Sequence, residues 1–315
     1  MNFDNRPALN QLVAHLLGVW PTHINLLAKS FANRTPATLD VSELLASAIL
    51  KLAKHEPDGL DGLCADYRYM CEEIFLPEEV HFRRNGRYRL ASFAEANAAC
   101  YANAPLMARY MNGLLVSNVM WVNHAGAFAH FANDFLGRLS TGARHLEIGP
   151  GHGLFLYFAS RCPQVTAITG WDISPTSIDR TRRALALLGA PMEPTLVLQD
   201  MFKIQPSDVA TGFDSVVMSE ILEHLEDPVA ALKAACNSLK PGGLMFVNVP
   251  ANSPAPDHIF LVESPEHAAS LVSDAGLTLL NTEAFPMSGT TMAQARKHKL
   301  TVSCVVIAQK PYNAG

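Results

Sequence analysis

The stretch HLEIGPGHGLF, His145 to Phe155, decides how the rest of the chain is read. It closes the apolar run ARHLEI and then places Gly149, Gly151 and Gly153 ahead of Leu154. Glycines directly after a strand let the backbone turn tightly and approach a ligand closely. With Glu147 they form an E-x-G-x-G-x-G arrangement. A dinucleotide fingerprint wants its third glycine three positions after the second. Here the third comes two positions after the second, so the loop points to a different nucleoside or to a plain strand–helix turn.

Working outward, short apolar runs alternate with helical segments from Gly142 onward. The strand candidates are ARHLEI, TAITGWDI, TLVLQ, FDSVVMS, GLMFVNV, LTLLNTEAF and KLTVSCVVIAQ. TSIDRTRRALALLG and PVAALKAACNSLK are helical in pattern. This alternation predicts an α/β, doubly wound, mostly parallel sheet, with its sites at the carboxyl ends of the strands. Asp172 ends the second run in GWDIS, where a carboxylate can accept both hydroxyls of a ribose. Asp200 follows the third in LQDMF, where it can accept from an adenine amino group while Met201 packs on the ring. Either acid alone reads as a strand-end turn or a helix cap. Three successive strands each presenting a suitable group favour a bound nucleoside.

After the fourth run comes SEILEHLEDP, Ser219 to Pro228. On a helix Glu220, Glu223 and His224 share one face. They read either as acids suited to a helix start or as part of a metal site. Downstream, PANSPAPDHIF supplies His258, 258 − 224 = 34 positions on. Two carboxylates and two histidines make a mixed oxygen and nitrogen donor set for Mg²⁺, Mn²⁺, Fe²⁺ or Zn²⁺.

LEIGPGHG, WDIS, QDMF, FDSVVMSEILEHLEDP and LKPGGLMFVNVP, in that order, resemble a class I S-adenosylmethionine-dependent methyltransferase over about residues 142–310. The resemblance implies a seven-stranded Rossmann-like sheet with one antiparallel strand at the edge. It implies that Glu147, Gly149, Gly151 and Gly153 form the cofactor loop, beneath the methionine and ribose portions. Asp172 and Ile173 are then placed at the ribose, Asp200 and Met201 at the adenine, and Ser219 at the methionine end. The E-x-x-E-H turn with a later D-H-x-F is similar to the metal-dependent small-RNA 3′-end 2′-O-methyltransferases. It is similar in part to the O-methyltransferases of ubiquinone biosynthesis. The metal set is then Glu220, Glu223, His224 and His258, with His224, His258 and Glu220 nearest the chemistry.

Residues 1–104 read as mainly helical, and residues 105–141 as linking helices that bend at Gly113 or Gly126. The methyltransferase domain follows, over 142–311. VHFRRNGRYRL, with Asn85-Gly86 at its centre, carries a two-residue hairpin signal, which would make the amino-terminal domain a winged helix. This architecture resembles small-molecule O-methyltransferases of secondary metabolism, which implies a homodimer and a lid over the acceptor. Tyr110, Met111, Trp121, Asn123 and His124 are candidates for lining that pocket or for plain core. Arg83, Arg84, Arg87 and Arg89 could touch phosphates in the manner of a wing, or lie on a solvated turn.

Composition sets the outer bounds. The 315 residues are 49% hydrophobic and 17% charged, with a formal net charge of −5. That balance suits a globular protein and disfavours nucleic acid as the main partner. The six cysteines are scattered without a C-x-x-C pair, which reads as reduced thiols in the cytoplasm. LVAHLLGVW is interrupted by His15 and stopped by Pro21, so no membrane span or leader is expected. The expected activity is methyl transfer to a small-molecule oxygen. The alternatives are RNA-end 2′-O-methylation, or a winged-helix regulator that binds the cofactor without turnover.

Overall fold

A computed structural model describes residues 3–204 and 212–312. Seven strands form one sheet in the order β3-β2-β1-β4-β5-β7-β6. They are β1 (Ala143–Ile148), β2 (Val165–Asp172), β3 (Thr195–Leu198), β4 (Phe213–Ser219), β5 (Leu239–Ala251), β6 (Thr278–Pro286) and β7 (Val302–Gln309). The pairs β1–β2, β2–β3, β1–β4 and β4–β5 are parallel. The strand order reverses between β1 and β4, which opens a crevice above their carboxyl ends.

The chain divides into two units. The first comprises the residues up to Ala129 together with Asn252–Leu261 and Phe285–Ser303. The second comprises His130–Ala251, Val262–Ala284 and the residues from Cys304.

The first unit is helical: α1 (Pro7–Val19), α2 (Ile24–Phe31), α3 (Pro36–Ala53), α4 (Gly59–Tyr69), α5 (Leu76–Asn85), α6 (Phe93–Ala96), α7 (Ala104–Met120) and most of α8 (Val122–His130). Leu9, Leu12, Leu16, Leu45, Ile49 and Leu63 are buried at helical spacing and form its core. Prolines start several of these helices, because a first-turn N–H has no intrahelical partner to lose. Thr35 caps α3 by accepting the Thr38 N–H, with Pro36 next in line. Pro77 does not end a helix. The chain passes from α4 through a π-helical turn at Met70–Phe75 into α5, and that wider turn accommodates the missing donor.

Two expectations fail here. VHFRRN belongs to α5, and no hairpin forms around Asn85-Gly86. Gly86 instead caps α5 in the left-handed conformation (φ 67°), its N–H donating to Phe82 O. Asn-Gly supplies positive φ equally to a hairpin turn and to a helix end; the acids Glu78 and Glu79 in the first turn and Arg83 and Arg84 in the last suit a helix dipole. Arg83 pairs with Glu79 and Arg89 with Glu78. The linking helices break at Trp121, in extended conformation between α7 and α8, and at neither glycine. Gly113 and Gly126 lie inside helices, where an added Cβ would fall 2.7 Å from Met70 and 2.5 Å from the Phe285 ring. They permit close packing and leave the helices intact.

In the second unit, α9 (Leu154–Ser160), α10 (Pro175–Leu188), α11 (Pro228–Ser238) and α12 (Pro265–Asp274) alternate with the strands. The last helix, α13 (Met292–His298), lies in the first unit and starts with a Thr291–Gln294 capping box. Ser174 and Asp227 cap α10 and α11. Leu146, Val216, Val217, Phe246 and Val247 are wholly buried, as a sheet covered by helices requires. Among the described residues, no helix is long and apolar enough to cross a membrane.

Candidate functional site

The glycine loop is built as its spacing demands. Gly149, Gly151 and Gly153 all have positive φ (68°, 50° and 69°). Gly149 N–H donates to Trp171 O at 2.7 Å, and Gly153 N–H donates to Pro150 O at 2.7 Å. A Cβ on Gly149 would stand 2.3 Å from Ile221 Cδ1, the mobile end of that side chain, so the positive φ is what reserves this position for glycine. Glu147 is buried and accepts the Leu156 N–H at 3.0 Å. That bond ties β1 to the first turn of α9, and burial pushes the carboxyl well above the usual range. Glu147 thus braces the loop from beneath.

The carboxyl ends of β2 and β3 lie side by side, Asp172 in register with Leu198. Asp172 accepts from Ser174 N–H at 2.8 Å and from Ser177 Oγ. Burial pushes its carboxyl up, against the opposing pull of those bonds. Asp200 caps the short turn Met201–Lys203, accepting Phe202 N–H at 3.0 Å and pairing with Lys203 Nζ at 3.0 Å. Against some burial, those contacts hold its carboxyl below the usual range. Around these acids three large apolar side chains are more than half exposed: Ile173 (60%), Leu198 (58%) and Phe202 (54%). Exposed apolar groups grouped at strand ends are a feature that ligand-binding surfaces share. The exposure of Leu198 and Phe202 was not legible, because strand-end leucines and phenylalanines read as core.

The acid–histidine turn departs from a helix. β4 ends at Ser219, and Glu220 adopts a left-handed backbone (φ 55°) that costs energy for a side chain with a Cβ. Only Leu222–His224 form a single 3₁₀ turn. Glu220, Glu223 and His224 therefore do not share a helix face. Glu223 is wholly buried, with Oε1 3.7 Å from His224 Nε2. Glu220 is held from β5: its N–H donates to Asn248 O at 2.8 Å, and its Oε1 accepts from Asn248 Nδ2 at 2.9 Å. Asn248 Nδ2 also donates to Ser219 Oγ at 3.0 Å. Since a carboxylate only accepts, the Asn248 amide is oriented by chemistry. Sequence reasoning passed over Asn248, although a lone amide in the apolar run GLMFVNV was the available signal.

His258 lies in the first unit, on Asn252–Leu261. Its Nδ1 is 2.6 Å from Ser253 O. A carbonyl only accepts, so Nδ1 carries the proton and the lone pair sits on Nε2. The neighbouring Asp257 accepts from Tyr110 Oη at 3.2 Å. Of the other acceptor-pocket candidates, Tyr110 and Asn123 are buried, Asn123 donating to Ser303 Oγ at 3.0 Å. Trp121 packs edge-on against Phe75 and His124.

The strand order, the glycine loop and the acids at successive strand ends define the class: an S-adenosylmethionine-dependent methyltransferase fold. The chain belongs to the methyltransferase-domain family, whose pattern matches residues 120–295. It is 34% identical over 117 residues to a ubiquinone biosynthesis O-methyltransferase of Xanthomonas euvesicatoria, covering 36% of this chain and 46% of that protein. The corresponding protein of Xylella fastidiosa is 33% identical over 109 residues, covering 34% of this chain and 42% of that one. The match thus spans about half the length of these curated relatives. The structure of the S-adenosylmethionine-dependent methyltransferase SibL in its apo form superposes with a TM-score of 0.54 at 16% identity, covering 97% of this chain and 96% of that one. It shares the fold over both units.

Proposed function

We propose that the protein transfers the methyl group of S-adenosylmethionine to an oxygen of a small-molecule acceptor, with assistance from a divalent metal, in a biosynthetic route of secondary metabolism. The observation that carries this reading is the row of strand ends. The glycine loop after β1, Asp172 after β2 and Asp200 after β3 stand beside Ser219 and the acid–histidine turn after β4. In this reading Asp172 accepts the ribose hydroxyls, Asp200 the adenine amino group, and Met201 with Ile173, Leu198 and Phe202 packs the ring. The Gly149–Gly153 turn, with no side chain at its three glycines, leaves room for the methionine portion. Holding donor and acceptor in line supplies much of the rate, on the order of 7 kcal/mol or more for well-oriented reactants.

The donor set suits a metal. Glu223 is a wholly buried carboxylate next to an imidazole, and burying such a charge without a cation is costly. Glu220 is held in a strained conformation by Asn248, and His258 has its lone pair assigned to Nε2 by Ser253. Glu220, Glu223 and His224 are the residues after β4 that would hold the ion, as Mg²⁺, Mn²⁺, Fe²⁺ or Zn²⁺, with His258 the further donor that the sequence pattern supplies. When bound, the ion would make an acceptor hydroxyl acidic enough to ionise near neutral pH. Without an ion, His224 would be the group to take that proton instead. The partial identity to ubiquinone-biosynthesis O-methyltransferases supports oxygen as the acceptor atom. A cytoplasmic homodimer belongs to the same reading, supported by exposed Leu44, Leu76 and Val80 on the helical unit.

The test is methyl transfer from labelled S-adenosylmethionine to a panel of phenols, catechols and hydroxy acids, with chelator and metal add-back. The reading expects a labelled ether, lost in chelator and restored by Mn²⁺ or Mg²⁺. Transfer undiminished in chelator would remove the metal, and transfer only to amines or carbon would remove the oxygen acceptor.

A further inference from the structure

The geometry points to Tyr88 as the positioning residue for His258. Tyr88 follows the Gly86 cap of α5, in the segment whose sequence suggests a wing, and it is buried. Its hydroxyl accepts the Ser253 N–H at 3.1 Å. Its ring packs edge-on to the His258 imidazole, centroids 5.7 Å apart and planes at 64°. Ser253 O in turn accepts from His258 Nδ1. One side chain therefore holds the peptide N–H one step along the backbone from the carbonyl that sets the tautomer, and also packs on the ring itself.

Thr301 Oγ1 also holds this part of the loop, donating to Asn252 O at 3.1 Å, and two other anchors lie farther along. Cys100 Sγ donates to Pro256 O at 3.1 Å, and Tyr110 Oη donates to Asp257 Oδ1 at 3.2 Å. Neither touches the Ser253 peptide. The loop also opens at Asn252 with φ 48°, a left-handed conformation that asparagine adopts more readily than most residues. Of the anchors named, Tyr88 is the one that also touches the imidazole. Partners that orient a metal-ligating histidine through its second nitrogen tune that ligand's basicity and direction. This inference rests on the reading of His258 as a metal ligand.

Tyr88→Phe removes the hydroxyl and keeps the ring. Two measurements on the full chain test it: the His258 tautomer by ¹⁵N-resolved NMR, assigned with His258→Gln, and Mn²⁺ affinity by calorimetry. The expected result is a pure Nδ1–H tautomer in the parent protein and a tautomer mixture in Tyr88→Phe. Mn²⁺ affinity should fall about 10-fold, with S-adenosylhomocysteine affinity unchanged. A general loosening of the fold would weaken both ligands together, which would overturn the inference. So would a Tyr88→Phe protein whose His258 stays in the Nδ1–H form with Mn²⁺ affinity intact. If His258→Ala binds Mn²⁺ like the parent, the metal reading fails, and the tautomer alone decides whether Tyr88 positions the ring.

Discussion

In the helical unit Tyr67 and Arg34 are buried polar groups satisfied by their neighbours. Tyr67 accepts from Trp121 Nε1 at 2.9 Å and meets His23 Nε2 at 3.0 Å, and Arg34 spends its guanidinium on Ser30, Ser42 and Val119 O. At the carboxyl edge of the sheet, Glu220 has a left-handed backbone and three large apolar side chains stand exposed near Asp172 and Asp200. The first arrangement is what packing alone selects. The second keeps strain and exposure that packing would remove, which is how a surface shaped for a ligand differs from one shaped for stability.

The sharpest way to break that contrast is Gly149→Val. Its Cβ would meet Ile221 in a backbone that disfavours any side chain, so S-adenosylhomocysteine affinity should fall roughly 1,000-fold, about 4 kcal/mol. Circular dichroism should still report a folded sheet, and retained affinity would detach the loop from the cofactor.

Acid sensitivity comes next and spans both units. Burial lowers the pKa of His23 and of His124 to about 4, and that of His145 to about 3. These histidines are neutral when folded, whereas the unfolded chain protonates near 6.5. Their contribution is therefore full above about pH 6.5 and is lost as pH falls toward 4. One such histidine accounts for on the order of 3 kcal/mol. Urea unfolding at pH 7.5 and pH 4.5 should show the loss; a flat profile would contradict neutral buried rings.

Glu223→Gln separates edge chemistry from cofactor binding. Mn²⁺ affinity and methyl transfer should fall by roughly 100-fold, while S-adenosylhomocysteine binds as before. Unchanged metal affinity would return Glu223 to a packing role. The smallest effect is Gly86→Ala, which tests the helical side. An added Cβ meets nothing within 4 Å, so only the left-handed backbone resists it, at about 1 kcal/mol. A loss several times larger would mean that the segment does more than end α5.

Much of the sheet was legible in the sequence. ARHLEI and FDSVVMS coincide with β1 and β4, because buried parallel strands are short apolar runs bounded by turn residues. The glycine loop was legible for the same local reason. The acid–histidine turn was misread as a helix face because spacing in the sequence cannot reveal one residue with positive φ. Asn85-Gly86 was misread because two structures make the same demand on φ. Tyr88, Asn248, Leu198 and Phe202 were missed since their roles depend on partners far along the chain.

The central claim is that the carboxyl edge of β1, β2 and β3 holds S-adenosylmethionine. Calorimetric titration of the full chain with S-adenosylhomocysteine tests it most directly. The account predicts one site per chain, weakened by Asp172→Ala and weakened far more, roughly 1,000-fold, by Gly149→Val. No heat of binding from a protein with an intact circular dichroism spectrum would contradict it.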